Sequence, residues 1–299
     1  MKYSKYVLGA CGLLFLGYAV GTYISQESMN IEPEEEETSL LISTDNMKVL
    51  PKPDWGGKTN LSVLHPLGLV QTKKETNNIT DTDRWFEVND LQSPLYDVDP
   101  ESGTVPMNVP QKFDEDNKLI KGIHQADHNI YLYGPNFAKT RYMVIFNAEN
   151  TEALYVLDLS NYQTLPRVKP DEARFAEPSV RWAQLDNHVL YLSFGHNTYS
   201  SSSYGENAYL VAIDLETMST RWTSKSLTCN SINFLITGEY IVCGYGFTNE
   251  PDYLFTVDKA TGKRLETIRL DTGPDWIFKK GNDLYVRTYN KNYEFHIGN

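Results

Sequence analysis

Residues Val211–Trp222 read VAIDLETMSTRW, and Phe255–Thr267 read FTVDKATGKRLET. Each starts as an alternating apolar strand, reaches an aspartate, and carries a threonine three residues later: Asp214 with Thr217, Asp258 with Thr261. Such a carboxylate accepts backbone N–H groups two or three residues on and closes a tight turn, while Gly262 supplies a positive φ at no steric cost. The pattern therefore predicts hairpins of fixed register. Two weaker copies lie upstream, Tyr96–Val105 (YDVDPESGTV) around Asp99 and Tyr155–Thr164 (YVLDLSNYQT) around Asp158. The four aspartates stand 59, 56 and 44 residues apart.

A second pattern falls between these copies. His128–Tyr133 (HNIYLY), Asn187–Leu192 (NHVLYL), Gly238–Cys243 (GEYIVC) and Asn282–Arg287 (NDLYVR) each place a turn residue before an alternating strand, and a further strand precedes the last three. Strand, turn, strand, loop, strand, Asp-turn, strand is a four-stranded antiparallel meander, and its recurrence every 40 to 60 residues or so predicts the blades of an all-β propeller. The 20 Tyr, 19 Gly and 14 Pro fit short half-buried strands joined by tight turns. At roughly 40–50 residues per blade, the stretch from residue 61 to 299 holds about five. The last repeat has three strands and no Asp-turn, so an N-terminal strand, Ser39–Thr44 or Leu61–Leu64, is expected to close the ring and cover its open edge. Trp222, eight residues after Asp214, is expected to bury its ring at a seam between blades.

The run Ala212-x-Asp214-x-x-Thr217-x-x-x-x-Trp222, with the turn Asp258-x-x-Thr261-Gly262, resembles the docking motif of the PQQ-like (quinoprotein-type) β-propeller repeat. The resemblance implies a propeller whose members include quinoprotein dehydrogenases and cofactor-free envelope scaffolds. This chain departs from the motif at Met218, where the family has Gly, at Glu266, where it has Trp, and at Asn161 and Tyr162. Dehydrogenase members are much longer chains with adjacent cysteines, whereas Cys229 and Cys243 are 14 residues apart. The scaffold members are therefore the better match.

After Lys2 and Lys5, the 19 residues Tyr6–Ile24 carry no charge, enough for a helix to cross about 30 Å of hydrocarbon. Residues 1–25 read as a signal anchor or a signal peptide, with Ala19 and Gly21 suited to cleavage. Cys11 ends a lipoprotein-like Leu8-Gly9-Ala10-Cys11, but only four uncharged residues separate Lys5 from Ala10, so it reads as a small residue of the helix. Lysines before the segment and the acidic run Glu34–Glu37 after it orient the chain outward, which predicts inner-membrane anchoring with the body in the periplasm or outside the cell. Residues 26–60 read as an acidic, self-repelling linker and residues 61–299 as the propeller domain. A net charge of −12 excludes nucleic acid as a partner, since phosphate contacts need clustered Lys and Arg.

Candidate chemistry is sparse. There is no nucleophile elbow, phosphate-binding loop or dinucleotide fingerprint. His124 and His128 have zinc-like spacing but fall on a hairpin rather than a helix. Asp97-x-Asp99-x-Glu101 is similar to a calcium loop but has Ser102 and Asn108 where that loop needs Gly and Glu. No catalytic, cofactor-binding or metal-ligating residue is assigned. With a turn at Gly238-Glu239, Cys243 should face Phe234 rather than Cys229, and both a disulfide and two free thiols stay open. Ser200–Ser203 reads as a flexible loop, and Tyr199, Ser201 and Tyr204 as a candidate partner-contact loop. These features point to a membrane-tethered, non-enzymatic scaffold that binds a protein, its acidity favouring a basic patch on the partner. The alternatives are an envelope inhibitor that neutralises a toxin, and a glycan-binding or enzymatic propeller with its site in the central channel.

Overall fold

The computed structural model describes residues 45–56, 59–95, 117–136 and 138–298; the apolar segment 6–24, the Ser39–Thr44 strand and the Asp99 turn lie outside them. Among the described residues no helix is long and apolar enough to cross a membrane. Strands β1 (Lys48–Val49) and β2 (Leu69–Thr76) come first, followed by helix α1 (Thr82–Val88), whose N-terminus is capped by the Asp81 carboxylate. The first repeat is β3 (Lys118–His124), β4 (His128–Gly134), β5 (Tyr142–Asn147) and β6 (Ala153–Asp158). The second is β7 (Ser179–Asp186), β8 (Val189–Gly195), β9 (Tyr209–Asp214) and β10 (Ser219–Thr223). The third is β11 (Leu235–Thr237), β12 (Tyr240–Tyr245), β13 (Tyr253–Asp258) and β14 (Arg264–Arg269), and the last is β15 (Pro274–Lys280), β16 (Asp283–Thr288) and β17 (Lys291–Ile297).

Each of the first three repeats is an antiparallel meander in chain order, and the last has three strands of its own. β2 is its fourth strand, running antiparallel to β17 from Leu69 opposite Ile297 to Thr76 opposite Lys291. β1 adds a short parallel strand outside β6. The described residues thus form four sheets, not about five, because long connections such as 159–178, which holds two single-turn 3₁₀ segments, consume chain without adding strands. The closing strand is also not where the sequence placed it: Leu61 and Val63 are 88% and 93% exposed. β2 is nearly all exposed on both faces, so it lacks the apolar alternation that marks a strand in sequence.

The first strand of each repeat is innermost, and its free edge faces the axis. Side-chain amides from the neighbouring sheet satisfy those edges. Gln125 donates from Nε2 to the Ala183 carbonyl (2.9 Å) and accepts the Leu185 N–H (3.2 Å). Asn233 donates to the Ile277 carbonyl (2.8 Å) and accepts its N–H (2.9 Å). Trp182 of the second sheet meets Trp276 of the fourth edge-on, with centroids 6.3 Å apart. Those sheets are not consecutive, so the contact crosses the axis and plugs it. Sequential meanders around an axis, closed by an N-terminal strand, are the architecture of a β-propeller.

The end of the acidic segment 26–60 is no linker. Leu50 is fully buried, and Trp55 stacks on Phe194 at 5.2 Å and meets Tyr209 at a tilt, 4.9 Å away. The Lys52 carbonyl accepts from Thr220 of the second sheet (3.3 Å), and further along the His65 carbonyl accepts from Tyr240 of the third (3.1 Å). Residues 48–56 and 59–76 therefore form a belt that touches all four sheets before ending as β2.

Candidate functional site

The Asp-turns hold the sheets to one another. Asp214 Oδ1 accepts the N–H groups of Glu216 and Thr217 at 3.0 and 2.9 Å, and Asp258 Oδ1 those of Ala260 and Thr261 at 2.7 and 3.2 Å. Asp158 accepts from Ser160 (2.6 Å). Arg221 clasps Asp214 through Nε and NH2 (3.1 and 2.6 Å), and Arg141 holds Asp158 through both guanidinium nitrogens. The Thr217 N–H and then Arg221 hold the Asp214 carboxyl well below the usual carboxylate range. His188, Asp214 and Glu216 have donor atoms within 4.8 Å of one another, but Arg221 already occupies Asp214, so the cluster is an ion-pair network.

Trp222 lies buried on the neighbouring turn, its Nε1 donating to the Lys259 carbonyl (3.1 Å). Gly262 sits at φ +72°, and a Cβ there would come within 2.5 Å of the Trp222 ring, so the turn and the ring fit only with glycine. Each departure from the repeat motif has a physical counterpart. Tyr162 is buried and meets Phe194 edge-on at 5.3 Å, and Asn161 donates to the Leu50 carbonyl. Glu266 accepts the Leu69 N–H (3.1 Å) and so anchors the start of β2. Met218 takes the left-handed φ of +51° that glycine supplies elsewhere.

At the end of the sheets where β7 begins, three connections come together. Ser200–Ser203 is a pinned 3₁₀ turn rather than a flexible loop: Ser200 bonds Glu250 through N–H and Oγ (2.7 and 2.9 Å), Ser202 bonds Glu172, and both Ser202 and Ser203 are buried. That anchorage turns Tyr199, Ser201 and Tyr204 outward. Tyr199 meets Phe247 edge-on at 5.2 Å, Arg167 lies over the Tyr204 ring at 4.6 Å, and Arg174 lies over exposed Phe175 at 4.5 Å. Arg167, Arg174 and Phe175 were not singled out in the sequence, because only the fold brings 165–178 beside the serine turn, through the Lys169 N–H on the Ser202 carbonyl (2.8 Å).

His196 underlies this face. Its Nδ1 accepts the Thr198 N–H (3.2 Å), so Nε2 carries the proton and donates to Ser203 Oγ (3.2 Å). Burial first, then the nearby Arg181 charge, pushes its pKa down to about 4. The unfolded chain, with an ordinary histidine near 6.5, binds more protons than the fold between those values, so this contribution is complete above about pH 6.5 and lost toward pH 4. Burial lowers His124 and His128 in the same direction. The melting temperature is expected to fall over that window, and His196→Gln to flatten part of the fall; identical profiles would contradict the assignment.

At the opposite end of β7 a cavity of about 730 Å³ opens on the axis, lined by residues from all four sheets including His124, Gln125, Trp182, Asn233 and Phe278. No carboxylate, lysine or thiol lines it. An adjoining pocket of about 460 Å³ holds the Asp186–Lys259 ion pair at 2.9 Å. His124 and His128 stand on the two strands of the β3–β4 hairpin, and His124 Nδ1 bonds Asn129 (3.0 Å).

No protein-family model matches this sequence, and a search of curated proteins finds no match to it. Solved structures similar to it include BamB from Moraxella catarrhalis, at 11% identity and TM-score 0.37, over 58% of this chain and 43% of that one. Others are the computationally designed Ika4 protein (10%, 0.35, over 58% and 88%) and Saccharomyces cerevisiae Sqt1 (12%, 0.35, over 57% and 42%). The chain thus spans less than half the length of BamB and of Sqt1.

Proposed function

We propose that this chain is a membrane-tethered, exported propeller that works by binding a protein, with the face built from connections 165–178, 196–208 and 246–252 as its contact surface. The observation that carries this reading is the set of outward aromatic rings, Tyr199 and Tyr204 flanking a turn fixed by hydrogen bonds to Glu250 and Glu172 and Phe175 on the connection beside it, with arginine guanidiniums over Tyr204 and Phe175. Tyr and Arg are the residues that dominate protein interfaces, and rings held rigid before binding lose little entropy on contact. The tether rests on the uncharged run Tyr6–Ile24 and the basic-to-acidic switch across it. A non-enzymatic role fits an axial cavity walled mostly by amides and aromatics, where the one titratable side chain, His124, is hydrogen-bonded to Asn129.

The test is affinity for the partner recovered from membranes. Tyr199→Ala with Tyr204→Ala is expected to weaken binding by at least about 2 kcal/mol, roughly 30-fold, while the melting temperature holds, because both rings are exposed. Unchanged affinity would remove this face from the account.

A further inference from the structure

Cys229 and Cys243 are both fully buried, in the crossover between the second and third sheets and in β12 respectively. The register does place Cys243 opposite the residue before Leu235, as the sequence implies. The crossover nevertheless folds back on β12. The N–H groups of Asn230 and Ser231 both donate to the Gly244 carbonyl (2.8 and 3.2 Å), and Asn230 Nδ2 donates to the Gly246 carbonyl (2.8 Å). Those bonds bring Cys229 beside Cys243, whose Sγ donates to the Thr228 carbonyl (3.4 Å), while the Cys229 sulfur bonds Ser231 Oγ (3.8 Å).

The two buried sulfurs lie beside cationic side chains as well as apolar ones. Arg181 bonds only to the His196 and Asn230 carbonyls (2.7 and 3.3 Å) and its Nε has no partner, so a guanidinium without a carboxylate faces Cys229. Arg264, held by Thr228 Oγ1 (2.9 Å) and by the Ser226 carbonyl, stands by Cys243. Burial pushes both thiols up. At Cys229 the adjoining Cys243 thiol, the Ser231 hydroxyl and the charge of Arg181 outweigh it, and the net shift is downward. One thiol biased toward thiolate beside a second that can resolve it is the arrangement from which a disulfide forms.

We propose that Cys229 and Cys243 are an oxidation site that forms a disulfide between the crossover and β12, locking the seam between the second and third sheets. The step is thiol–disulfide exchange with a small-molecule disulfide as the chain folds, before the crossover closes over the two buried sulfurs. The Cys229 thiolate attacks it, forming a mixed disulfide and releasing one thiolate. The Cys243 thiolate then attacks the Cys229 sulfur and releases the second. Two S–H bonds are lost, one S–S bond forms, and the reagent leaves as two thiols carrying the two electrons and two protons.

The chain has three cysteines, so the test is thiol counting on the full chain after unfolding and refolding with oxidised glutathione. One thiol is expected under denaturing conditions, rising to three after reduction. No Lys or Arg lies between Lys225 and Lys259, so one tryptic peptide contains both sulfurs and is expected to be lighter by two hydrogens. Closing so short a loop is expected to raise the melting temperature by roughly 6–12 °C, a rise absent from Cys229→Ala and Cys243→Ala. Three free thiols, or a bridge that uses Cys11, would overturn the site. A bridged chain that melts no higher would overturn the lock.

Discussion

Trp222→Ala is expected to lower stability by about 3–5 kcal/mol, which for a domain of this size is a drop in melting temperature of roughly 6–20 °C. The ring is buried against the Asp258 turn of the next sheet, so truncation leaves a cavity between two sheets where neither can follow the other inward. It also removes the donor to the Lys259 carbonyl, which is then left to find water at a closed seam. Trp222→Phe separates the two terms: it keeps most of the packing, loses the hydrogen bond, and is expected to cost about 1 kcal/mol for that bond plus a smaller packing loss. Denaturant titration of both variants checks this. A loss under about 1 kcal/mol for the alanine variant would mean that the docking turn does not hold the seam.

Removing the belt is expected to have a still larger effect. A chain that starts at residue 77 lacks β1, Trp55 and β2, and leaves the whole β17 edge unpaired from Lys291 to Ile297. Tyr293 and Phe295 are buried in a cluster against which Leu67 and Leu69 pack, so that cluster opens as well. Such a chain is expected to melt at least about 10 °C lower or to lose its cooperative transition, the equivalent of roughly 3–5 kcal/mol or more. A synthetic peptide spanning residues 45–76 should restore part of the loss when added in trans. An unchanged melt would show that the ring closes without its N-terminal strand.

The Asp-turns were legible because their chemistry is local: Asp258, Thr261 and Gly262 make their bonds within four residues, and that spacing is printed in the sequence. The belt was not legible, for the opposite reason. Thr220 meets Lys52 across 168 positions and Tyr240 meets His65 across 175, through backbone carbonyls that any residue could offer. β2 escaped because an outermost strand, exposed on both faces, needs no apolar period. At the contact face the tyrosines stood out by composition, but Arg167 and Phe175 come from a connection that only the fold delivers to Tyr204. The thiol pair shows the limit of register arguments, since Cys243 lies where the hairpin puts it and the crossover carries Cys229 back to it.

The charge also looks different once placed. The chain is acidic as a whole, yet the proposed contact face carries Arg167, Lys169 and Arg174 beside its exposed rings. Glu206 and Glu172 each bind one of these cations, at 3.2 and 3.7 Å, so the local field is mixed rather than uniformly negative. A partner that fits this face would use apolar and hydrogen-bonding groups at its centre, with charges of both signs at its rim.

Site-specific photo-crosslinking tests the proposed function most directly, with a photoreactive residue at Tyr204 of the full chain in membranes and a control at Tyr289, which is 82% exposed and lies in the β16–β17 turn. One protein adduct is expected at position 204, reduced by Tyr199→Ala and Arg167→Ala, and none at 289. Equal labelling at both positions, or no protein adduct at 204, would contradict the proposed function.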